Sequence, residues 1–356
     1  MSDGLVPGGA RRPSAAPPPA APSHAPSWRD LPGSPDVDVV VPVRDAAASL
    51  DATIGSIRAQ DHAGGLRILL GVGPSRDGTE EVVAALVTGS PDVRAIANPT
   101  GRTPSALNAA IRAGSAPVVV RVDAHSRLPH DYVQRAVETM RRTGAVNVGG
   151  VQRPEPTTGF ERAVAAATTS VLGTGGAAHR TGTAPGPVDT VYLGVFDRAA
   201  IEAVGLFDES LVRNQDYELN IRLRAAGGTV WFDPELSVGY TPRSTWGSLA
   251  RQYREYGWWK SVVARRHPSS LRARQVVPPL GVVGVIGGLA LGARWRPALV
   301  VPAAYVAAVA VSVRRSESPL ATAGVLAVIH ASWTAGLLSG WVGHRDPGPR
   351  LRPPGR

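Results

Sequence analysis

Between residues 37 and 122, four short runs of apolar and β-branched residues alternate with three stretches of helical spacing. No other feature of the chain constrains its fold as much. Residues 37–43 read as a buried strand, 49–60 as a helix, 67–72 as a strand, 79–88 as a helix, 93–97 as a short strand and 103–113 as a helix. The run 118–122 is apolar apart from Arg121, short enough for a buried strand, and stops at Asp123-Ala124-His125. Strands that alternate with helices are the pattern of βαβ units and a mostly parallel sheet. The expected class is therefore α/β, with a Rossmann-like domain. Open sheets of this kind take ligands outside the carboxyl ends of their strands, which makes the polar residues after Val122 candidates for substrate or metal contact.

Beyond this region the texture changes twice. Residues 160–240 are less regular: helical spacing returns at 216–226, 229–232 reads as another strand, and the Gly-rich segment 173–186 reads as a loop, either a connector or a mobile flap. From 276 on the chain is apolar. Residues 276–293 and 298–313 are uncharged, and 320–342 carry His330 as their only titratable group. A bilayer-spanning helix needs about 20 such residues. The first two stretches are slightly short and hold Pro278, Pro279 and Pro302, so full spans and a re-entrant hairpin both stay open, giving two to three transmembrane or re-entrant helices. Between the two regions, residues 246–266 mix Trp246, Trp258 and Trp259 with Arg251, Arg254 and Lys260, which suits a membrane interface or an amphipathic helix packed on the domain.

These readings divide the chain into a disordered Pro/Ala-rich tail over 1–35, a catalytic domain over 36–244, an interface segment over 245–275, the apolar helices over 276–342 and a basic tail over 343–356. The composition of the first tail cannot bury enough apolar surface to offset ordering entropy.

The net charge of +10 is almost all arginine, since Lys260 is the only lysine. A coding bias toward Arg, Ala, Gly and Pro explains this, as does attraction to anionic lipid or phosphorylated substrates. Nucleic acid is not an expected partner, because the arginines are scattered and no basic run interleaves with aromatics. The absence of cysteine excludes disulfides, thiolate catalysis and thiolate metal sites. Arg265, Arg266, Arg272 and Arg274 precede the first apolar stretch and favour a cytoplasmic start, whereas Arg294, Arg296, Arg314 and Arg315 put arginine in both later loops. The expected location is the cell membrane with the catalytic domain cytoplasmic.

Two carboxylates are chemically suggestive. Asp123, at a strand end, suits a divalent cation bound to phosphates, or a plain turn. His125, two residues on, faces the same side if strand geometry persists. Asp216, within Asn214-Gln215-Asp216-Tyr217-Glu218, opens a helix and suits either an N-cap or a general base.

The ordered set Val39-Val40-Val41-Pro42-Val43-Arg44, Ser75-Arg76-Asp77-Gly78-Thr79, Asn98 and Asn108, Val122-Asp123-Ala124-His125 and Asp216 resembles family 2 glycosyltransferases over roughly residues 36–240. Within that family, Asp189-Thr190-Val191-Tyr192-Leu193-Gly194, Arg213-Asn214-Gln215-Asp216 and Gln252-Tyr253-Arg254-Glu255-Tyr256-Gly257 are similar to bacterial exopolysaccharide enzymes of the succinoglycan-glucosyltransferase type. The resemblance implies a GT-A fold, a nucleotide-sugar donor such as a UDP-sugar, Mg2+ or Mn2+ as cofactor, and inversion at the anomeric carbon. It implies donor-binding roles for Pro42, Arg44, Asp45, Asp77, Asn108 and Asp123, and metal binding by Asp123 and His125. Asp216 would be the base, with Asp189, Gln215 and Glu218 on the acceptor side. The apolar helices beside an arginine-rich segment lead to the expectation of a lipid-linked saccharide acceptor in exopolysaccharide or envelope glycan synthesis. A polyprenyl-phosphate acceptor and a catalytically silent membrane scaffold are the alternatives. The family's base-reading acid after the second strand is replaced by Gly73-Pro74, which leaves uracil selection open. The Gln252 segment lacks the Gln-x-x-Arg-Trp pattern of processive synthases, so single additions are expected.

Overall fold

The structure, a computed structural model, describes residues 27–343. Residues 27–32 hold only turns and bends, and the compact unit begins at Gly33. The expected disordered tail, over residues 1–26, and the basic tail, over 344–356, lie outside the described residues.

The first half alternates as the sequence predicts: β1 (Val37–Val43), α1 (Leu50–Arg58), β2 (Leu66–Val72), α2 (Thr79–Thr88), β3 (Val93–Ala97), α3 (Thr103–Ala113) and β4 (Val118–Arg121). The less regular stretch holds α4 (Tyr132–Thr143), β5 (Asn147–Pro154), α5 (Gly159–Thr168), α6 (Val171–Thr174), α7 (Ala178–Thr181), β6 (Gly186–Pro187), β7 (Tyr192–Asp197), α8 (Arg198–Ala203), α9 (Gln215–Ala225) and β8 (Val230–Tyr240). All eight strands form one sheet in the order β3-β2-β1-β4-β7-β5-β8-β6. The β1–β2, β2–β3, β1–β4 and β5–β8 pairs are parallel, whereas β7 runs antiparallel to both neighbours and β6 antiparallel to β8. The sheet is thus mixed but mostly parallel.

Burial explains why the first strands read so clearly. Val40 joins Leu69, Leu107, Ile111, Phe196 and Leu219 in one core cluster, so α3 and α9 cover that face. Val39 and Val41 point to the other face by the period of two and are just as buried. A strand enclosed on both sides must be apolar throughout. The exception, Asp38, is fully buried but accepts from Arg67 Nε at 2.9 Å, Arg198 Nη2 at 2.6 Å and Ala116 N at 2.8 Å. Gly71 lets α3 press onto β2, since a β-carbon there would lie 2.5 Å from the Ala106 carbonyl oxygen.

Two expectations for the irregular stretch change. Residues 173–186 hold two single-turn helices and a short strand rather than a plain loop. Ser170 caps α6 by accepting from Gly173 N at 3.0 Å, and Gly175, left-handed at φ 61°, ends it. One turn closed by its own caps leaves no periodicity to read. The strand expected at 229–232 continues to Tyr240, because Asp233-Pro234-Glu235, a turn by composition, is absorbed as an irregularity between two registers with β5.

The C-terminal part comprises α10 (Trp246–Arg266), α11 (Ala273–Gly292), α12 (Val300–Val313) and α13 (Pro319–Val342). Three of its segments, Ala273–Gly292, Arg296–Val313 and Pro319–Val342, are long and apolar enough to cross a membrane. Only 11% of the first window is buried against protein, and its valines and leucines face outward, as a lipid-facing helix requires. Helix α13 instead docks on the catalytic domain. It packs on α5 through Val325, Leu326 and Ile329, and it meets α10 at close range. A β-carbon on Gly336 would lie 2.0 Å from the Arg254 carbonyl oxygen, and one on Gly257 2.3 Å from that of Trp333. Small residues let two backbones approach in this way. The far end of α10 packs Trp259, Val262 and Val263 against Tyr217 and Leu211. Helix α10 therefore rivets the sheet domain to the apolar helices.

Candidate active site

A cavity of about 1390 Å3 opens where the strands end and continues to α11 and α12. Single small-molecule sites usually occupy about 300–1,000 Å3, so this one has room for two ligands. At one end it is lined by Asp45, Asp123 and His125, and at the other by Val277, Pro278 and Tyr305. Arg121 and Asp216 lie between.

Arg121 organises the centre. It is the last residue of β4, and its guanidinium is almost fully buried. Its Nε and Nη2 donate to Asp123 Oδ1 at 3.1 and 2.9 Å, while Nη1 donates to Asp216 Oδ1. One rigid, always-charged fork thus ties the strand-end carboxylate to the helix-start carboxylate. The two partners raise the Arg121 pKa despite the cost of burying it. Asp216 is not the N-cap of α9. That place belongs to Asn214, left-handed at φ 61°, whose side chain reaches Tyr256 O at 3.3 Å. Asp216 is therefore free to turn into the cavity. Surrounding protein strips water from its carboxyl and raises its pKa, with Arg121 pulling the other way and Asp123 reinforcing the rise. Even so, 40% of its side chain remains open, so the group sits deep in the cleft yet reachable.

The remaining residues singled out in the sequence fall into two groups. Asp45, His125 and Gln215 line the cavity with Asp123 and Asp216. Asp45 is aimed by Arg76 N, which donates to its Oδ1 at 3.1 Å, and by its own left-handed backbone at φ 47°. Pro42, Arg44, Asp77, Asn108, Asp189 and Glu218 do not line it. Pro42 sits in register with Gly71 inside the sheet, and Arg44 donates to Gly101 O at 3.3 Å. Asp77 pins the loop after β2 to the loop after β1, accepting from Thr79 Oγ1 and Ala47 N. Those bonds, that from Thr79 first, hold its pKa below the ordinary carboxylate value. Asn108 is buried, accepts from Phe207 N at 3.0 Å, and donates to Phe207 O at 2.8 Å and Glu209 Oε1 at 2.9 Å. It fastens α3 to the 207–209 turn. Glu218 is buried under Arg222 and His267, and Asp189 is held by Arg274. None of these six is among the residues that line this cavity.

Sequence reasoning noticed Arg121 only as a blemish in an apolar strand, although a lone charge at that place was the available signal. It assigned nothing to Arg180 or Tyr240, and it read Lys260 and Tyr253 as part of an interface segment rather than of the site; all four line the cavity. Their segments converge only in the fold.

A mostly parallel sheet that ends in Asp123, with a second carboxylate delivered across the cleft by α9, is the architecture of GT-A glycosyltransferases. The glycosyl transferase family 2 model matches residues 38–204. Over 309 residues the chain is 32% identical to the succinoglycan biosynthesis protein ExoA of Rhizobium meliloti, covering 84% of this chain and 92% of that protein. The chain thus belongs to glycosyl transferase family 2, and it is a glycosyltransferase related to succinoglycan biosynthesis. Among solved structures it is similar to the mannosyltransferase PcManGT from Pyrobaculum calidifontis, in complex with GDP-Man and Mn2+. That match has a TM-score of 0.60 and 18% identity, covering 89% of this chain and 92% of that one. At this identity the likeness establishes the fold.

Proposed function

We propose that the protein transfers one sugar, with inversion, from a nucleotide-sugar donor to a lipid-linked saccharide acceptor at the cytoplasmic face of the membrane. The supporting observation is the Asp123–Arg121–Asp216 bridge, set midway along a cavity that continues between apolar helices. The donor's diphosphate lies toward Asp45, Asp123 and His125, and the acceptor enters from the other end. Asp216 takes the proton of the acceptor hydroxyl as its oxygen bonds to the anomeric carbon. The bond from that carbon to the diphosphate breaks on the opposite face, which inverts the centre. Asp216 suits the task because burial raises its proton affinity while Arg121 keeps the carboxylate oriented. Enclosure of the centre strengthens each of these electrostatic contacts.

Asp123 and His125 fit a divalent cation with few protein ligands. Among the described residues no group of three or more His, Cys, Asp and Glu forms a complete cage. Mg2+ and related hard ions habitually complete such a shell with water and phosphate oxygens. When bound, the ion supplies positive charge to the departing diphosphate.

The reading is tested with the full chain in lipid, a panel of nucleotide sugars, and a membrane extract as acceptor source. Transfer that needs Mg2+ or Mn2+ and is lost in Asp123→Ala and Asp216→Ala is expected. Wild-type turnover in either variant overturns the role given to that residue. Full activity in Asp216→Asn points instead to a phosphate oxygen as nucleophile, which needs no base.

A further inference from the structure

Several buried arginines in this protein are paired with carboxylates. Arg198 meets Asp38 and Glu202, Arg222 meets Glu218, and Arg121 meets two carboxylates. Arg180 and Lys260 depart from this rule. Among the described residues no carboxylate lies within ion-pairing distance of either. Arg180, half-buried, donates to Tyr240 Oη at 2.6 Å and stacks over its ring at 5.0 Å. Lys260, 1% exposed, donates to Ser270 O at 3.0 Å and Oγ at 3.2 Å and sits 4.0 Å from the Tyr217 ring centroid. Taking a cation out of water without a counter-charge is costly. Burial accordingly pushes the Lys260 pKa down to about 7, with Asp189 opposing and Arg274 adding to the fall.

Both cations line the same cavity, and so does Arg274, whose charge reaches both Lys260 and the His179 next to Arg180. Asp189, the acid whose charge reaches Lys260, is already shared between Arg272 and Arg274. The carboxylates that do line the cavity, Asp45, Asp123 and Asp216, are the ones at its donor end and centre. Arg274 stands in the first turn of α11, and the next turns of that helix supply Val277, Pro278 and Gly281 to the wall, together with Tyr305 and Ala308 of the adjoining α12. A cationic pocket therefore opens directly onto an apolar slot.

We propose that Arg180, Lys260 and Arg274 form a binding site for the phosphate or diphosphate of an amphiphile whose apolar chain lies along the cavity wall that α11 and α12 supply. The site rests on the functional reading above and gives the acceptor its chemistry: a saccharide carried on a phosphorylated lipid, held by its phosphate while the sugar reaches Asp216. A bilayer phospholipid headgroup presents the same chemistry, and the test separates the two sources.

The experiment is direct binding, so it stands even if no transfer is seen. The purified full chain in neutral phosphatidylcholine nanodiscs is titrated with farnesyl diphosphate, and with farnesol as the probe that lacks phosphate. Wild-type protein is expected to bind the diphosphate at least ten-fold more tightly than the alcohol. Arg180→Gln and Lys260→Gln should each erase most of that margin, with Arg180→Lys recovering part of it. Equal affinity for the two probes overturns the site, and this comparison needs no variant to fold. Variants that melt like wild type and keep the full margin also overturn it. Competition from nanodiscs containing phosphatidylglycerol keeps the site and assigns it to a bilayer headgroup; indifference to them assigns it to the acceptor. Failure of sugar transfer with the ten-fold margin intact refutes the proposed reaction and leaves the site standing.

Discussion

The two ends of the cavity are built on opposite electrostatic plans. At the donor end, the turns after β1 and β2 are cross-linked to each other. Asp77 accepts from Ala47 N, Ser75 Oγ accepts from Asp45 N, and Ala46 N donates to Thr79 Oγ1 at 2.8 Å. Charges there are answered by the protein itself. At the proposed acceptor end, Arg180 and Lys260 lie among tyrosines and, among the described residues, meet no carboxylate within ion-pairing distance, so the pocket carries uncompensated positive charge. A preorganised wall serves the partner whose leaving group must be placed to within a fraction of an ångström. An unfilled charge serves a partner that brings its own. The centre, where Arg121 spans both carboxylates, belongs to both plans.

This contrast can be broken most sharply at the centre. Asp216→Ala removes the base proposed for the acceptor and should lower kcat by about 10²–10⁴-fold, the usual range for a lost general base. Donor binding, followed by calorimetry, should change far less, because Asp216 is not among the residues proposed to hold the donor. A loss confined to donor affinity would move Asp216 to the other end of the site.

The next largest effect tests how firmly the donor wall is founded. Asp38→Ala leaves Arg198 buried without its main partner and should destabilise the fold by about 3–5 kcal/mol, as single removals from buried pairs do. Denaturant unfolding of detergent-solubilised protein measures it. An unchanged midpoint would show that Glu202 alone holds Arg198.

Asn108→Ala sharpens the comparison further. It should cost about 1–3 kcal/mol, as buried groups left without partners do, and leave the donor's KM near wild type, since Asn108 faces Phe207 and Glu209 rather than the cavity. A many-fold rise in KM with unchanged stability would restore it to the donor site.

On the acceptor side, Gly336→Val would thrust a side chain into the Arg254 carbonyl and part α10 from α13. Overpacking of this kind costs about 1–3 kcal/mol. Thermal melting should fall and acceptor KM should rise, because Lys260 rides on α10, while nucleotide binding holds. The smallest effect is on pH dependence. Burial raises the Asp216 pKa, and the base must be unprotonated, so the acid limb of kcat/KM should lie above the range of an ordinary exposed carboxylate. A limb at the ordinary value, or one that persists unchanged in Asp216→Ala, would remove Asp216 as its source.

Legibility in the sequence followed the range of the interactions that shape each element. The bounds of α2, α3, β1 and β3 agree with the sequence reading to the residue. Helices α6 and α7 escaped because one turn has no period, and the later course of β8 escaped because pairing with β5 overrode a turn-forming Asp-Pro-Glu. Asp123 and Asp216 stood out by their places at a strand end and a helix start. Asn108 and Glu218 stood out equally, and both are buried in hydrogen bonds to neighbouring elements.

The sequence by itself determined the α/β alternation, the apolar helices, the family and the two carboxylates, because periodicity and motif spacing are properties of neighbouring residues. Only the tertiary structure decided that Arg121 joins Asp123 to Asp216 across 95 residues. Only it revealed that Arg180 and Lys260, brought from different segments to one cavity, lack counter-charges. The electrostatic state of a side chain depends on what stands within a few ångströms of it in space, and position along the chain carries no record of that.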